Sequence, residues 1–522
     1  MTTGGAMTTR HPRAVLALVS AAVFMAMLDN LAVTNALPSI GEELHVNVSG
    51  LQWVVAGYTL VLSATLLSGG AVGDRLGQRR AFLCGLLGFM AGSALSSAAT
   101  GWAPLVAGRA VQGLGAAVLL PAGTALLRHV FPGKAARARA LGIRGAAGGL
   151  GVALGPAVGG PLVDTFGWRS VMWINLPVGA VALLIALWAL PHPPAVPTRR
   201  DSVGQALAVA GLGSFVYALV QGPVDGWSAP GVLGALALSA VALPAFVAVE
   251  RRATRPLLDL TLFRDGACRA VAVSCFTSST GLFGAMFFLT LYLQDILGWS
   301  ASGAGAVILS ATAFMVLSAP AAGLLTVRYG PRGPLVAGLA LNAFALLGIS
   351  CYGVRATYAS YGWLLPVMGA GIGLLFVPAA ITVVESSPAA RANAASAVVD
   401  TLREVGGVVG VAALGAVLTA RMRATLYDRA TDAGLPREAA EHLVRTVVTG
   451  GHGHGPHAQG AGPVSPSVTA WVAESFVDGL HLALRCAAFA LLGTLVLVLI
   501  LLRRRRTRPT APVLPLPYRD AA

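Results

Sequence analysis

The sequence predicts an all-α polytopic membrane protein with fourteen transmembrane helices, and three observations carry that prediction. The 522 residues are 56% hydrophobic and 11% charged, where an ordinary soluble domain carries about 25% charged residues. Apolar stretches of about 20 residues, the length that crosses a hydrocarbon core, recur along nearly the whole chain. The basic residues between them alternate, with twenty-four Lys and Arg on one side of the predicted membrane and seven on the other. This asymmetry follows the positive-inside rule and puts both termini in the cytoplasm. The formal charge of +15 is therefore read as a mark of orientation, with no nucleic-acid partner.

The first apolar run, 14–37, is too long for a signal-peptide core, contains Asp29 and shows no cleavage site, so it is read as a retained helix. Further spans follow at 51–71, 81–100, 103–127, 139–163, 168–190, 203–222, 230–249, 268–294, 303–327, 334–353, 360–384, 394–420 and 480–502. GAVGDRLGQR at 70–79 and GLLTVRYGPR at 323–332 share Gly70/Gly323, Arg75/Arg328, Gly77/Gly330 and Arg79/Arg332 in one register. The chain is thus a duplication, and both copies fall in short turns where glycine suits a tight bend and arginine the headgroup level. Asp74 has no counterpart, since Val327 stands in its place. The expected division is a six-helix half at 1–190, two additional helices within 191–260, and a second six-helix half at 261–522.

The second half contains a long extracytoplasmic loop, 421–479, with a charged helical part around 426–448 and a Gly/His/Pro/Ser part at 450–467. His452, His454 and His457 have a spacing that could hold a metal ion, but the composition is that of a flexible linker, and no metal site is assigned. Arg503 to Arg506 read as an anchor beside anionic lipid. Cys84, Cys268, Cys275, Cys351 and Cys486 lie in or beside spans without a C-x-x-C and read as small structural residues.

Ionisable residues inside spans cost about 2.5 to 3.5 kcal/mol each and are functional candidates by default. Five stand out: Asp29, Arg109, Asp400, Arg403 and Glu404. Asp400, Arg403 and Glu404 fall at i, i+3 and i+4, so Arg403 can pair with either carboxylate. Three acids against two bases leave one carboxylate without a full partner, able to bind and release a proton. Asp29 has no basic residue in its own span, so the expectation places the exchangeable proton there. A static buried ion-pair network is the alternative for all five. Asp478, His481 and Arg485 form a stripe near the outer end of the last span, read as a wet vestibule in preference to a proton relay. Trp53 and Tyr58 in the second span, Gln112 beside Arg109 in the fourth, and Phe283, Phe287 and Tyr292 in the ninth are candidates to line an apolar pocket. Lipid-facing packing is the alternative for each aromatic.

GVALGPAVGG at 151–160 places Gly151, Gly155 and Gly159 on one helical stripe, with Pro156 bending the helix and Gly160 following. Glycine costs about 1 kcal/mol in a helix interior, so the stripe must permit a close helix approach that side chains would block. The only lysine, Lys134, precedes Ala135, which excludes a G-x-x-x-x-G-K-[ST] phosphate loop. No serine-histidine-acid set and no H-E-x-x-H is present. The expectation is therefore a chain that is neither an ATPase nor another enzyme.

GAVGDRLGQRR resembles the loop between helices 2 and 3 of the major facilitator superfamily, in its fourteen-helix drug:proton antiporter branch. LVAGRAVQGLGAA (105–117) is similar to the helix 4 signature with its buried arginine, and GVALGPAVGG to the helix 5 antiporter pattern G-x-x-x-G-P-x-x-G-G. LDNLAVTNALP (28–38), QWVVAGY (52–58), WRSVMWINLPVG (168–179), YLQDILGWS (292–300) and ASAVVDTLREVGG (395–407) match further family segments in order. Two departures are visible. Asp400 and Glu404 stand where amides are common, and Asn35 lies one place after the usual Asn, with Thr34 in that slot.

The resemblance implies a major facilitator fold of two six-helix bundles plus two extra central helices. It also implies proton-coupled efflux of amphipathic small molecules, drugs or antibiotics, across the bacterial inner membrane. A dedicated exporter of an endogenous secondary metabolite, lipid or siderophore is the alternative. In the family the glycine stripe faces a helix of the other half, which implies a pivot sealing the cytoplasm-facing route, static packing being the other reading. Arg109 would take part in proton coupling. Protons would be the coupling ion with no cofactor, and the partners a small-molecule substrate and membrane lipids.

Overall fold

A backbone in hydrocarbon must satisfy its own hydrogen bonds, and in this chain it does so with helices alone. The computed structural model describes residues 11–191, 202–253, 260–385, 392–449 and 466–502, and no strand occurs among them. The helices are α1 (Pro12–Leu44), α2 (Val48–Leu76), α3 (Gln78–Ser97), α4 (Trp102–Val130), α5 (Lys134–Phe166), α6 (Arg169–Trp173), α7 (Asn175–Ala189), α8 (Ser202–Asp225) and α9 (Pro230–Arg252). They continue as α10 (Gly266–Leu291), α11 (Ala301–Tyr329), α12 (Arg332–Ile349), α13 (Tyr358–Tyr361), α14 (Leu364–Glu385), α15 (Ala392–Asp432), α16 (Arg437–Thr449) and α17 (Pro466–Leu501). Taking α6 with α7, α13 with α14, and α10 with the π-helical turn Tyr292–Ile296 as single spans, 14 segments are long and apolar enough to cross a membrane. The chain is a multi-pass membrane protein.

The face carrying Pro12 and Leu501 is the terminal face; the opposite one, carrying α16, is the distal face. Differences from the expected spans concentrate at the distal face. α15 continues to Asp432 and α17 begins at Pro466, so much of the loop expected at 421–479 is helix. The amphipathic α16 buries Val444 and Val448 against Leu426, with Tyr427 and Trp471 packed around them. Beside it Arg429 of α15 ties α17 by bonding Glu474 at 3.3 Å and Asp478 at 2.8 Å. His452, His454, His457 and Arg503–Arg506 lie outside the described residues.

The duplicated motif has a backbone counterpart. Gly77 closes α2 with φ 84° and Gly330 closes α11 with φ 81°, a left-handed conformation that strains any side chain. Asp74, absent from the second copy, accepts from Gln78 Nε2 at 2.9 Å. Arg79 donates to Leu187 O at 2.6 Å, tying the turn to the end of α7. Gly70 has open space beside it, with Pro121 Cβ 4.0 Å from where its own Cβ would lie, and Arg75 is exposed.

The glycine stripe does not face the other half. A Cβ on Gly151 would lie 2.5 Å from Phe24 O, one on Gly155 2.8 Å from Leu31 Cβ, and one on Gly159 2.9 Å from Ala32 Cα. All three neighbours belong to α1, so these glycines seat α5 on α1 within the first half. The turn just beyond them makes the contact across the seam. A Cβ on Gly160 would lie 2.6 Å from Ala301 O, and Pro156 O presses on Gly305 of α11. The helix has two faces, and four-residue spacing could not say which of them met which partner.

The described hydrogen bonds between the halves lie in the distal half of the bundle. Asp164 at the end of α5 accepts from Ala301 N at 3.1 Å and Ser302 N at 2.9 Å, capping the first turn of α11. Asn35 Nδ2 donates to Ala301 O at 2.9 Å, Gln294 Nε2 to Asn35 O at 3.0 Å, Gln52 Nε2 to Val411 O at 2.9 Å and Thr312 Oγ1 to Ala153 O at 3.1 Å. Among the described residues these bonds close the distal side of the seam.

α8 and α9, central in sequence, are peripheral in space. Val216 and Val220 of α8 bridge Ala56 of α2 and Val408 and Ala412 of α15, covering one lateral side of the seam.

Gly155→Leu and Gly160→Leu should fail differently. The first overpacks α1 against α5, at a cost of about 1 to 3 kcal/mol or more, and should lower both the folded yield and the melting temperature of the purified chain. Gly160→Leu should leave the first half intact and part the seam. A cysteine at Val158, in an otherwise cysteine-free chain, should then react faster with an impermeant maleimide from the distal side. Equal loss of folding in both variants would mean that the two faces of α5 are not distinct.

Candidate functional site

Two clusters of charge lie on opposite sides of α1. Asp29 is fully buried, and its Oδ2 accepts from Arg109 Nη1 of α4 at 2.6 Å. Its Oδ1 accepts from Asn175 Nδ2 of α7 at 2.6 Å. Arg109 Nη1 also donates to Gln112 Oε1 at 2.8 Å and Nε to Val54 O at 3.4 Å, while its guanidinium lies 4.5 Å from the centre of the Tyr58 ring. Asn175 reaches Ser93 Oγ at 3.0 Å, and Ser93 donates to Met172 O at 2.8 Å. This network overturns the expectation that Asp29 lacks a partner. Its base comes from a span 80 residues away in sequence, which a count within one span cannot see. Arg109 Nη2, Gln112 Nε2 and the Tyr58 hydroxyl are buried without a hydrogen-bond partner, so the cluster keeps spare donors.

The second cluster is on α15. Arg403 Nη2 donates to Glu404 Oε1 at 3.2 Å and Nη1 lies 3.9 Å from Asp400 Oδ1. The Asp400 side chain is 56% exposed and that of Glu404 8%. Arg403 is the one guanidinium within 4 Å of the two carboxylates here, with Arg144 of α5 acting on Asp400 from farther away, whereas Asp29 holds a guanidinium and an amide at 2.6 Å each. The less compensated acid is therefore on α15.

Glu404 opens onto a cavity where the halves meet. Its walls are Asn30, Leu31 and Thr34 of α1, Val55 and Thr59 of α2, Phe283, Met286 and Phe287 of α10, and Gly407 and Val411 of α15. In this conformation about 10 Å³ is free, space for roughly one water molecule. Glu404 is the one ionisable side chain among these walls. The cavity can present a carboxylate to a cation, aromatic faces to an apolar body, and hydroxyl and amide groups to polar edges.

Of the aromatics expected in a pocket, Phe283 and Phe287 line this cavity. Trp53 turns away toward Tyr217 of α8, with ring centres 6.2 Å apart. Tyr58 and Gln112 belong to the Arg109 cluster, and Tyr292 donates to Gly353 O at 2.7 Å. The Asp478, His481, Arg485 stripe is divided among separate partners. Asp478 bonds Arg429, His481 Nε2 lies 2.9 Å from Tyr352 O, and Arg485 Nε is 3.3 Å from Ser350 Oγ. Sequence reasoning missed Asn30, Thr34, Thr59 and Asn175 as site residues and Asp164 as a helix cap. The quoted segments LDNLAVTNALP and WRSVMWINLPVG contain Asn30, Thr34 and Asn175, but a neutral polar residue in a span gives no sign of which way it points.

The sequence profile of the Major Facilitator Superfamily matches residues 19–411. Among curated proteins, the multidrug resistance protein Stp of Mycobacterium tuberculosis is 34% identical over 475 residues, covering 90% of this chain and 88% of its own. The tetracenomycin C resistance and export protein of Streptomyces glaucescens is 34% identical over 501 residues, covering 94% and 90%. The methylenomycin A resistance protein of Bacillus subtilis is 34% identical over 436 residues, covering 83% and 93%. Among solved structures, a bacterial homolog of the human lysosomal transporter Spinster, inward-facing and unoccupied, superposes with a TM-score of 0.64 at 15% identity over 95% of this chain and 97% of that one. A peptide transporter, POT, in complex with sulfate gives 0.62 at 15% identity over 94% of each, and these two likenesses concern the fold. Fourteen spans, a cavity between two halves and relatives at this identity make the chain a member of the major facilitator superfamily, related to multidrug and antibiotic resistance proteins.

Proposed function

We propose that the chain exports amphipathic small molecules, cationic or neutral, in exchange for protons across the bacterial cytoplasmic membrane, with the terminal face cytoplasmic. The observation that carries this reading is Glu404, a carboxylate sharing its only guanidinium with Asp400 and opening onto an aromatic and hydroxyl-lined cavity at the seam. A proton and a cationic substrate compete for that carboxylate, so loading one discharges the other. This moves the exchange site from Asp29, the expectation from sequence, to α15. The Asp29–Arg109 pair, on the far side of α1, acts as a positioning element. It holds α1 so that the residues following Asp29 line the cavity. On this reading the closed distal seam belongs to the conformation that faces the cytoplasm.

The names of two relatives, resistance to tetracenomycin C with its export and resistance to methylenomycin A, support the second reading, a dedicated exporter of one secondary metabolite. Substrate range separates the two readings, because a dedicated exporter would move one compound class and spare unrelated cations.

In proteoliposomes, efflux of ethidium should follow an imposed proton gradient and collapse with a protonophore. Efflux that persists without a gradient would remove the antiport reading. Substrate-induced proton release from the purified chain should disappear in Glu404→Gln. Asp29→Asn should lose folded protein, because it strands a buried guanidinium at a cost of about 3 to 5 kcal/mol, and the double variant Asp29→Asn with Arg109→Gln should recover it. If that double variant releases no protons while Glu404→Gln releases as many as the parent, the exchange site belongs on α1.

Orientation has its own test. A reporter inserted near Gly460 should be extracytoplasmic and one after Arg508 cytoplasmic. Both on one side would contradict the proposed sidedness.

A further inference from the structure

Besides the central cavity, a wider one of about 510 Å³ opens on the distal face among the α1–α2 turn, α2, α4 and α8. We propose that it is a second binding site for the exported molecule, an exit station that takes a flat aromatic cation after it leaves the central cavity. This rests on the export reading.

The chemistry of the walls selects that ligand. Trp53 of α2, Trp102 of α4 and Tyr217 of α8 supply three aromatic side chains, while Asn47, Ser49 and Gln221 supply neutral polar edges. The imidazole of His45 is the one titratable group in the lining, which contains no arginine, lysine or carboxylate. Indole and phenol faces attract cations through their quadrupoles, and a volume of 510 Å³ falls within the range of about 300 to 1,000 Å³ of small-molecule sites. The walls are braced before any ligand arrives. Trp102 Nε1 donates to Gly50 O at 3.1 Å, Ser49 Oγ to Gln221 Oε1 at 3.3 Å, and Trp53 stands 6.2 Å from Tyr217. Trp53 lies five residues into α2 and Tyr217 eight from the end of α8, so the site reaches roughly 8 to 12 Å below the distal surface at 1.5 Å per residue. Amphipathic rings partition to that depth of a bilayer.

Its position supplies the connection. α2 lines both cavities, with Val55 and Thr59 on the central one and Trp53 on the distal one. Between them Gln52 bonds Val411 O, and Val411 is itself a wall of the central cavity. Opening the distal seam parts α2 from α15 and breaks that bond. A ligand leaving Glu404 then meets the Trp53 side of α2 before bulk water. The additional helix α8 gives the site its third wall, so this is a site that a twelve-helix arrangement without α8 would not form.

Photolabelling of the purified full chain with ethidium monoazide, followed by peptide mapping, tests the proposal. Labels should fall at two places, around Trp53 and Tyr217 and around Phe283 and Glu404. Tyr217→Ala should cut the distal label about tenfold, the scale of removing one aromatic face from a cation, and leave the central label unchanged; Tyr217→Phe should retain both. Label at the central cavity alone, or a distal label indifferent to Tyr217→Ala, overturns the exit station and spares the export reading. A distal label without a central one overturns the export reading at Glu404. Capture of the distal site by a photoactivatable phosphatidylcholine in preference to ethidium makes it a lipid site and overturns the proposal.

Discussion

The rest of the structure depends on the buried pair between Asp29 and Arg109. Both side chains are excluded from solvent, and removing either charge would leave the other uncompensated, at a cost of about 3 to 5 kcal/mol. The pair therefore fixes the rotation of α1 about its own axis. Once Asp29 points at α4 and α7, the neighbouring positions have no freedom left. Asn30, Leu31 and Thr34 face the central cavity, the backbone of Leu28 and Ala32 receives the glycines of α5, and Asn35 reaches Ala301 of the other half. Seven of the eight residues from Leu28 to Asn35 thus serve an ion pair, a cavity, a packing face and a seam. A turn of 3.6 residues distributes them around one axis.

That rotation also sets how firmly the seam can close. The distal contacts between the halves are a small set of hydrogen bonds from Asn35, Gln52, Gln294, Thr312 and the Asp164 cap. Each contributes about 0.5 to 1.5 kcal/mol net, so together they hold the closed state by several kcal/mol. A ligand that moves a two-state equilibrium from one extreme to the other needs a differential affinity of about 5.5 kcal/mol. On the proposed export reading, a seam of this strength stays closed unaided and opens on a binding event. Welding it with a continuous leucine interface would have prevented that, and the glycine at 160 facing Ala301 keeps the contact backbone to backbone.

The parts of the fold legible in the sequence are those set by local composition. Fourteen spans follow from apolar length, since each helix satisfies its own backbone whatever its neighbours do. The duplication was visible in Gly77 and Gly330 because a positive φ demands the same residue twice. Direction around a helix axis was not legible. The stripe Gly151, Gly155, Gly159 announced a close approach but not that α1 makes it. Trp53 and Phe283 look alike as aromatics in spans, and only the packing of α8 turned one outward and left the other in the cavity. The pairing of Asp29 failed for a related reason, since its base lies on another helix and charge balance was counted within one span. Asp164 carried no signal at all, because its worth depends on where another helix begins 137 residues later.

Charge arithmetic connects the two clusters to transport. With both groups ionised, Asp29 and Arg109 sum to zero, and their bonds to Asn175 and Gln112 leave no net field to attract a cation. Asp400, Arg403 and Glu404 sum to minus one, Arg144 of α5 offsets Asp400 from across the seam, and Asp400 is the more exposed of the acids, so part of its field is also screened by water. The Glu404 carboxylate opens onto a cavity walled by Phe283, Met286 and Phe287, where low polarity strengthens its attraction for a cation. One proton or one monovalent cation neutralises that site, but binding both leaves it positive and desolvated. On the proposed export reading, exclusion of the doubly loaded state makes the exchange obligatory. It needs no further ionisable residue in the cavity wall, where Glu404 is the one such side chain.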